Sequence, residues 1–168
     1  FGQGLQSPSE FLGYELGTHF TRHHRVVEYF RYVADARSEQ VLLEQYGETN
    51  GRRPLITATL SSAANMLRLG AIREAHLEAL EGQGSQGPAI VWLSYNVHGN
   101  ESVSTEASMQ TLYDLLTTRS SYLENTVVIM DPCINPDGRD RYVNWYNQFK
   151  NTPYQADPNS KEHHEGWL

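Results

Sequence analysis

The chain has 168 residues, of which 39% are hydrophobic and 20% are charged, and its formal net charge is −7 at pH 7. This length suits one domain, and the apolar content can bury a core, which excludes an intrinsically disordered chain. No run of Lys and Arg offers nucleic acid a basic surface, and no apolar stretch approaches the roughly 20 residues of a membrane span. We therefore predict a single domain over residues 1–168 with no nucleic-acid partner and no membrane span, and the sequence leaves the oligomeric state open.

The first predicted element is a helix that follows a lead-in rich in Gly, Ser and Pro. Apolar residues recur at the spacing of one helix face, at Val26, Tyr29, Phe30 and Val33. We predict a helix over residues 21–37, with Thr18 or Thr21 as its N-cap. Adjacent helix residues point about 100° apart, so we place His23 and His24 on a solvated basic face and not at a metal.

A hairpin and further helical turns come next. Residues 41–46 and 54–60 have strand-like composition, and the Asn-Gly pair at residues 50–51 is a strong turn signal, which predicts an antiparallel hairpin. Residues 61–80 predict helix or helical turns, and the Gly-rich residues 81–88 predict an ordinary connecting loop. Because the same pattern continues after this loop, we do not divide the chain there.

The second half of the chain predicts a strand, a helix and a strand. Residues 89–97 are almost all apolar, which is typical of a strand buried on both faces of a sheet. Residues 102–117 follow a helical pattern, and residues 126–130 form a second apolar run. Such a unit implies parallel neighbours joined by a right-handed crossover. We therefore predict an α/β fold with three layers, α/β/α, and a mixed, mainly parallel sheet whose antiparallel edge is the hairpin.

A candidate metal site follows the first of these strands. His98 and Glu101 flank Gly99 and Asn100, directly after the strand and directly before the helix. Active sites of open α/β sheets gather at the carboxyl ends of strands, and zinc takes imidazole nitrogen and carboxylate oxygen as ligands. Gly99 allows the backbone to bend between the two. The HxxE spacing is weak by itself, so a chance pair stays open as an alternative at this point.

A second polar cluster, NPDGR at residues 135–139, follows the second strand. Its Pro and Gly are turn formers, so we expect a rigid loop that borders the same crevice as the first cluster. Arg139 and Arg141 are candidates to bind a substrate carboxylate with a bidentate fork. An equal alternative is a surface ion pair with Asp137 or Asp140.

The remaining candidate side chains are given structural roles. Cys133 is the only cysteine and no histidine is placed to activate it, so we expect a buried, unreactive thiol. His19 and His76 lie beside or within helical stretches and are expected to be structural or surface residues. His163 or His164 can supply a third metal ligand in principle, but their polar surroundings predict a loop without a sheet edge to fix it.

Several motifs occur together in a fixed order. HGNE at residues 98–101 stands between a strand and a helix, and NPDGR at residues 135–139 follows the next strand. Upstream, the hairpin carries GRRPL at residues 51–55. Together these motifs resemble the zinc carboxypeptidase family over most of residues 8–145. SPSEFLGYELG at residues 7–17 is similar to a bacterial branch whose members are typically exported.

The resemblance implies a zinc metallocarboxypeptidase, a hydrolase that acts on peptides or proteins, with His98 and Glu101 as the first two ligands of one Zn²⁺ ion. The family's third ligand, its general base and its substrate-binding arginines have no match in residues 1–168. We therefore expect the chain to be the N-terminal portion of a catalytic domain that continues beyond Leu168, with weak or no zinc binding and no turnover by itself. For the complete protein we expect a periplasmic or extracellular location.

Two other interpretations of function stay open. A related HxxE amidohydrolase, either a deacylase or an amidase of cell-wall peptides, would keep the same two ligands. An inactive relative that binds peptides or carbohydrates would keep HGNE by descent. A downstream zinc-ligand histidine and a catalytic glutamate favour an enzyme, and their loss favours a binding protein.

Overall fold

The computed structural model of the protein describes residues 4–84, 87–155 and 157. Its helices, in chain order, are α1 (Pro8–Leu12), α2 (His23–Ala36), α3 (Ala63–Met66), α4 (Leu69–Leu80), α5 (Val103–Leu116) and α6 (Pro136–Phe149), with a 3₁₀ helix at Ser120–Glu124. Its strands are β1 (Val41–Glu48), β2 (Pro54–Leu60), β3 (Ala89–Ser94) and β4 (Thr126–Asp131). None of the described helices combines the length and the apolar character that crossing a bilayer requires.

The predicted long helix near the N-terminus, α2, is confirmed, and its apolar face lies in the core. The four residues that predicted this face, Val26, Tyr29, Phe30 and Val33, are all buried. The helix begins at His23 and not at Thr21. Its N-cap, Arg22, makes no side-chain capping bond, and the His23 N–H donates to Asp140 Oδ1 at 2.9 Å. A carboxylate at this position suits the positive end of the helix dipole.

His23 is buried, so its predicted place on a solvated basic face is wrong, whereas His24 is exposed as expected. Nε2 of His23 lies 2.7 Å from the carbonyl oxygen of Pro54. Since a carbonyl can only accept, Nε2 carries the proton. Burial lowers the pKa of His23, although the bond to Pro54 acts in the opposite direction. The neutral ring therefore joins α2 to the start of β2.

The four strands form one mixed sheet in the order β1-β2-β4-β3. β1 and β2 pair antiparallel, which confirms the hairpin, and β2 pairs antiparallel with β4. β3 and β4 run parallel with α5 between them in the chain, which confirms the strand–helix–strand unit. The α/β class and the mixed sheet are as predicted. Within the described residues, however, only one of the three strand pairings is parallel, so the sheet is not mainly parallel there.

β3 differs from its prediction in length and in exposure. The strand ends at Ser94 and not at residue 97, and it forms an edge of the described sheet. Ile90, Val91 and Trp92 are exposed, Trp92 to 65%. An apolar run favours burial, but the outcome depends on what covers each face, and β4 is the only strand beside β3 in the described part of the chain. The predicted burial on both faces is therefore wrong for this chain.

The core lies on one face of the sheet, where α1, α2 and α5 pack. The strand side chains that belong to this core are buried, namely Val41, Ile56, Ala58, Leu60, Val128 and Met130. Burial of each larger aliphatic side chain stabilises the fold by about 1.5–3 kcal/mol. The opposite face carries an open groove of about 560 Å³ whose walls include Tyr46, Trp92 and Ile129. The described helices thus leave this groove uncovered, and the predicted third layer is not seen over it.

Candidate metal centre

The two predicted metal ligands lie together on the turn that follows β3. His98 Nδ1 and Glu101 Oε1 are 3.0 Å apart, and the side chains are 46% and 61% exposed. The Glu101 N–H donates to the His98 carbonyl oxygen at 3.0 Å, so residues 98–101 form a tight turn directly before α5. This turn brings an imidazole nitrogen and a carboxylate oxygen to one point on the surface.

The pair fits part of a zinc site. Zinc bonds of about 2.1 Å at the tetrahedral angle place two ligand atoms roughly 3.4 Å apart, close to the 3.0 Å between His98 and Glu101. A catalytic zinc takes three protein ligands. The part of the chain that the structure describes contains no group of three or more His, Cys, Asp or Glu side chains suited to a metal ion. His163 and His164, predicted to lie in a loop, are outside the described residues.

Asn96 is hydrogen-bonded to the turn that carries His98 and Glu101. It is buried, and its φ of 55° lies in the left-handed region, which Asn adopts more readily than most residues. Its Nδ2 donates to the carbonyl oxygens of His98 at 3.0 Å and Glu101 at 3.2 Å. The side chain thus joins the two ends of the turn that carries both predicted ligands.

The second predicted cluster begins a helix. α6 starts at Pro136 with Asn135 as its N-cap, and Asn135 Oδ1 accepts from the Gly138 N–H at 2.9 Å. Pro suits the first position of a helix because the N–H that it lacks has no intrahelical acceptor there. The rigid loop predicted at residues 135–139 is therefore wrong. The error has a physical source, since Asn, Asp and Pro favour helix starts as well as turns.

The two motifs contact each other through their glycines. A Cβ added to Gly99 would lie 2.1 Å from the carbonyl carbon of Gly138 and 2.6 Å from its Cα. Asn135 strengthens the contact with two hydrogen bonds. Its Nδ2 donates to the carbonyl oxygen of Val97 at 3.3 Å, and its backbone N–H donates to the carbonyl oxygen of Asn96 at 3.2 Å. The turn therefore packs backbone against backbone on the first turn of α6, and the expected closeness of the two clusters is confirmed.

Acidic residues near the start of α6 bind the hairpin turn. Asp137 accepts from Thr49 Oγ1 at 2.7 Å and from the Gly51 N–H at 3.0 Å. Arg53 bridges the two aspartates, with Nη1 2.7 Å from Asp137 and Nε 2.6 Å from Asp140. Partial burial would raise the pKa of Asp137, but its hydrogen bonds and the Arg53 charge outweigh this and hold the pKa below its ordinary value.

Arg139 is fully buried. Its guanidinium donates to the Glu106 carboxylate and to the carbonyl oxygens of Thr21 and Ser102. A charge is tolerated in the interior when it is paired and hydrogen-bonded in this way. The burial of Arg139 argues against its predicted contact with a substrate, and its ion pair is with Glu106 and not with the neighbouring aspartates.

Arg141 lines a cavity of about 530 Å³ between α6 and the hairpin turn. Its walls also include Arg53 and Trp145, whereas neither His98 nor Glu101 lines it. The described residues thus do not bring Arg141 and the two predicted ligands into one cavity. Its contact with a substrate carboxylate stays a prediction.

Cys133 is buried and free, as predicted. Burial raises the pKa of its thiol to about 12, so the reactive thiolate is scarce near pH 7. Its Sγ donates to Asn96 Oδ1 at 3.2 Å. Burial also raises the pKa of Asp131, although hydrogen bonds from Tyr46 and from the Cys133 N–H act against this. Cys133 is therefore a buried structural residue that binds Asn96 next to the turn.

Sequence reasoning missed the residues that hold the turn and α6 in place. Asn96 carried a signal, since an Asn near the end of an apolar run is a residue type suited to positive φ. Glu106 and Arg53 carried no local signal, because their partners Arg139 and Asp140 lie 33 and 87 residues away in the chain. Such contacts become visible only in the fold.

A family model described as zinc carboxypeptidase matches residues 26–167. Carboxypeptidase A from Helicoverpa armigera is similar with a TM-score of 0.58 and 19% identity, over 83% of this chain and 31% of that chain. Bovine thrombin-activatable fibrinolysis inhibitor, solved in complex with a tick carboxypeptidase inhibitor, is similar with a TM-score of 0.54 and 13% identity, over 79% of this chain and 35% of that chain. No match to the chain was found among curated proteins.

The solved structures show the fold of the chain, and the family model shows its family. At these identities the structures show a shared fold, and the chain spans about a third of the length of each. The family model spans most of the chain and includes both HGNE and NPDGR. The chain therefore belongs to the zinc carboxypeptidase family.

Proposed function

We propose that this chain is the N-terminal part of the catalytic domain of a zinc metallocarboxypeptidase that releases C-terminal residues from peptides or proteins. The observation that carries the proposal is the 3.0 Å approach of His98 Nδ1 and Glu101 Oε1 on an exposed turn. Membership of the family supports zinc as the metal and peptide hydrolysis as the reaction. The position of the turn, separated from the end of β3 by three residues, supports an active site at the carboxyl ends of the parallel strands.

In this proposal the chain's own residues bind the zinc ion and orient the substrate. Zinc in such a site activates a water molecule and polarises the scissile carbonyl. His98 and Glu101 would hold the ion, and the contact of Gly99 with the backbone of Gly138 in α6 fixes the position of their turn. Of the two arginines predicted to meet the substrate, Arg139 is buried and Arg141 lines a cavity, so Arg141 stays the candidate for a substrate carboxylate.

We also propose that the third zinc ligand and the general base lie outside residues 1–168. Two ligands hold zinc more weakly than the three of a catalytic site. The 168-residue chain by itself is then expected to bind zinc weakly or not at all and to show no turnover. Calorimetric titration of the chain with Zn²⁺ tests this, and stoichiometric, tight uptake would contradict it.

The activity is tested on the full-length protein that contains this chain. The substrates are a peptide with a free C-terminal carboxylate, the same peptide with a C-terminal amide, and an acylated amine. We expect zinc-dependent release of the last residue from the free-carboxylate peptide alone. His98→Ala and Glu101→Gln should each lower zinc occupancy and kcat/KM by more than the roughly 10–100-fold that loss of an outer-shell partner costs.

The matched control is His24→Ala, because His24 is an exposed histidine outside the turn. It should leave zinc occupancy and kcat/KM unchanged. Cleavage of the acylated amine in place of the peptide would identify an amidohydrolase. Peptide binding without zinc and without turnover would identify an inactive binding relative. Either result would overturn the proposal.

For the complete protein we propose export to the periplasm or the cell exterior. Support comes from the resemblance of residues 7–17 to exported members of the family. Fractionation of the native cells tests this, and recovery of the full-length protein in the cytoplasm alone would contradict it.

A further inference from the structure

We infer that Asn96 is a positioning residue for the proposed zinc ligands, because its side chain fixes both ends of the turn that carries His98 and Glu101. The inference rests on the proposed function, since it concerns the same two ligands. Asn96 itself is not a proposed ligand, because both polar atoms of its side chain are already hydrogen-bonded within the protein.

The backbone of Asn96 sets the direction of the turn. Its φ of 55° is unfavourable for most side chains, and Asn and Gly are the residues that adopt it most readily. The carbonyl oxygen of Asn96 accepts from the N–H of Asn135, the N-cap of α6, at 3.2 Å. This bond joins the left-handed residue to the start of α6. The backbone before the turn is therefore bonded to the first residue before α6.

The side chain of Asn96 then closes the turn. Nδ2 has two hydrogens, and it donates to two acceptors, the carbonyl oxygens of His98 at 3.0 Å and Glu101 at 3.2 Å. These are the carbonyls of the two proposed ligands themselves. A shift of either backbone segment would lengthen one of these bonds, so the Cα positions of both ligands are fixed relative to a single buried amide.

The orientation of that amide is also determined. The Cys133 thiol donates to Asn96 Oδ1 at 3.2 Å, so the oxygen faces Cys133 and the nitrogen faces the turn. Both residues are buried, with 2% of Asn96 and 1% of Cys133 exposed, so water does not compete for these bonds. Cys133 is held in turn by its N–H, which donates to Asp131 Oδ1 at 3.2 Å. A chain of hydrogen bonds thus runs from the end of β4 to the turn.

The test uses two substitutions that tolerate positive φ and lack the Nδ2 donor, Asn96→Gly and Asn96→Asp, in the full-length protein. Zinc affinity is measured by competition with a chelator, and the metal-free proteins are compared by hydrogen exchange at the Glu101 amide. We expect both variants to bind zinc about 10–100-fold more weakly than the wild type. We also expect faster exchange at Glu101, because its N–H···O bond to His98 loses support.

The matched control is Asn65→Asp. Asn65 is equally buried, and its Nδ2 donates to the carbonyl oxygens of Leu123 and Glu124, away from the turn. This control should lower the stability of the fold and leave zinc affinity unchanged. A milder variant, Cys133→Ala, removes the thiol that donates to Asn96 Oδ1 but keeps the Cys133 N–H bond to Asp131, and it should weaken zinc binding less than either Asn96 variant.

The outcomes separate the inference from the proposed function. If the wild type binds zinc through His98 and the Asn96 variants bind it with the same affinity, the inference fails and the proposed function stands. If His98→Ala binds zinc as tightly as the wild type, the proposed function fails and takes the inference with it. If Asn65→Asp weakens zinc binding as much as the Asn96 variants do, general destabilisation explains the effect and the positioning role is overturned.

Discussion

At position 99 the side chain is a single hydrogen, and the space next to it is filled by the backbone of Gly138. The nearest atoms of Gly138 are its carbonyl carbon, carbonyl oxygen and Cα, which cannot rotate away as the end of a flexible side chain can. HGNE and NPDG therefore constrain each other directly, because the glycine of one motif packs on the glycine of the other.

We expect Gly99→Ala to lower the free energy of unfolding by about 1–3 kcal/mol, since the added methyl group forces the turn away from α6. The displaced turn carries His98 and Glu101, so zinc affinity of the full-length protein should fall as well. Urea denaturation measures the first effect and chelator competition the second.

Gly70→Ala is the control for this substitution. Gly70 is exposed near the start of α4, and a Cβ there would have no heavy atom within 4 Å. Stability should be unchanged or rise by up to about 1 kcal/mol, because Ala is the better helix former. Equal losses for the two variants would show that the contact between Gly99 and Gly138 is not responsible.

For single residues, the sequence predicted contacts correctly where the two partners are close along the chain. His98 and Glu101 could be predicted as a pair because they are three positions apart and a strand end precedes them. The burial of Arg139 could not be predicted, because it depends on Glu106 in α5 and on the carbonyl oxygen of Thr21, just before α2. A short motif shows which side chains are available, and the fold decides which of them face solvent.

Among the elements, the N-terminal turn of α6 contacts three separate segments of the chain. Its residues bind the hairpin turn through Asp137, the start of α2 through Asp140 and the start of α5 through Arg139. Arg53, in the hairpin, neutralises the two aspartates together. The helix that begins within NPDG therefore connects segments from both halves of the chain.

We expect Arg53→Ala to lower the free energy of unfolding at pH 7 by about 1–3 kcal/mol, because two partly buried carboxylates lose a charged hydrogen-bond donor. The pKa of Asp137 is lower in the folded protein than its ordinary value. Its stabilising contribution is therefore present above the ordinary carboxyl pKa of about 3.9 and is lost as the pH falls through the lower, folded value. The deficit of the variant should shrink below about pH 4, as denaturant unfolding across pH would show.

Arg73→Ala provides the comparison. Arg73 pairs with Glu74 at 2.6 Å, but both side chains are mostly exposed, so solvent screens the pair. Its removal should change stability by about 0.5 kcal/mol or less at every pH. A loss as large as that of Arg53→Ala would mean that burial does not distinguish the two ion pairs.

For the whole molecule, the sequence predicted the elements and their connections better than it predicted their surroundings. The hairpin and the β3-α5-β4 unit follow from local periodicity and turn residues, and both are confirmed. The exposure of β3 could not be predicted from its apolar composition, because exposure is decided by neighbouring layers. The balance of parallel and antiparallel pairing likewise depends on where β2 is placed, beside β4, which no local pattern indicates.

The exposed strand β3 has a consequence for the chain in solution. Within the described residues no second strand pairs with the other edge of β3, and the exposed Ile90 and Trp92 add apolar surface beside that edge. Edges of this kind pair with one another unless charge or cover prevents it. We expect the 168-residue chain to self-associate with rising concentration, and light scattering coupled to size-exclusion chromatography measures this directly.

Trp92→Lys tests whether β3 is responsible for this self-association. A lysine at the edge removes a large aromatic contact and adds charge repulsion between copies, so the dissociation constant should rise about tenfold or more. Leu67→Lys is the control, because Leu67 is 92% exposed but lies at the end of α3, away from the sheet. A single exposed leucine is ordinary on a protein surface, so this change should leave self-association as it is. A wild-type chain that stays monomeric at high concentration, or equal effects of the two lysines, would contradict association through β3.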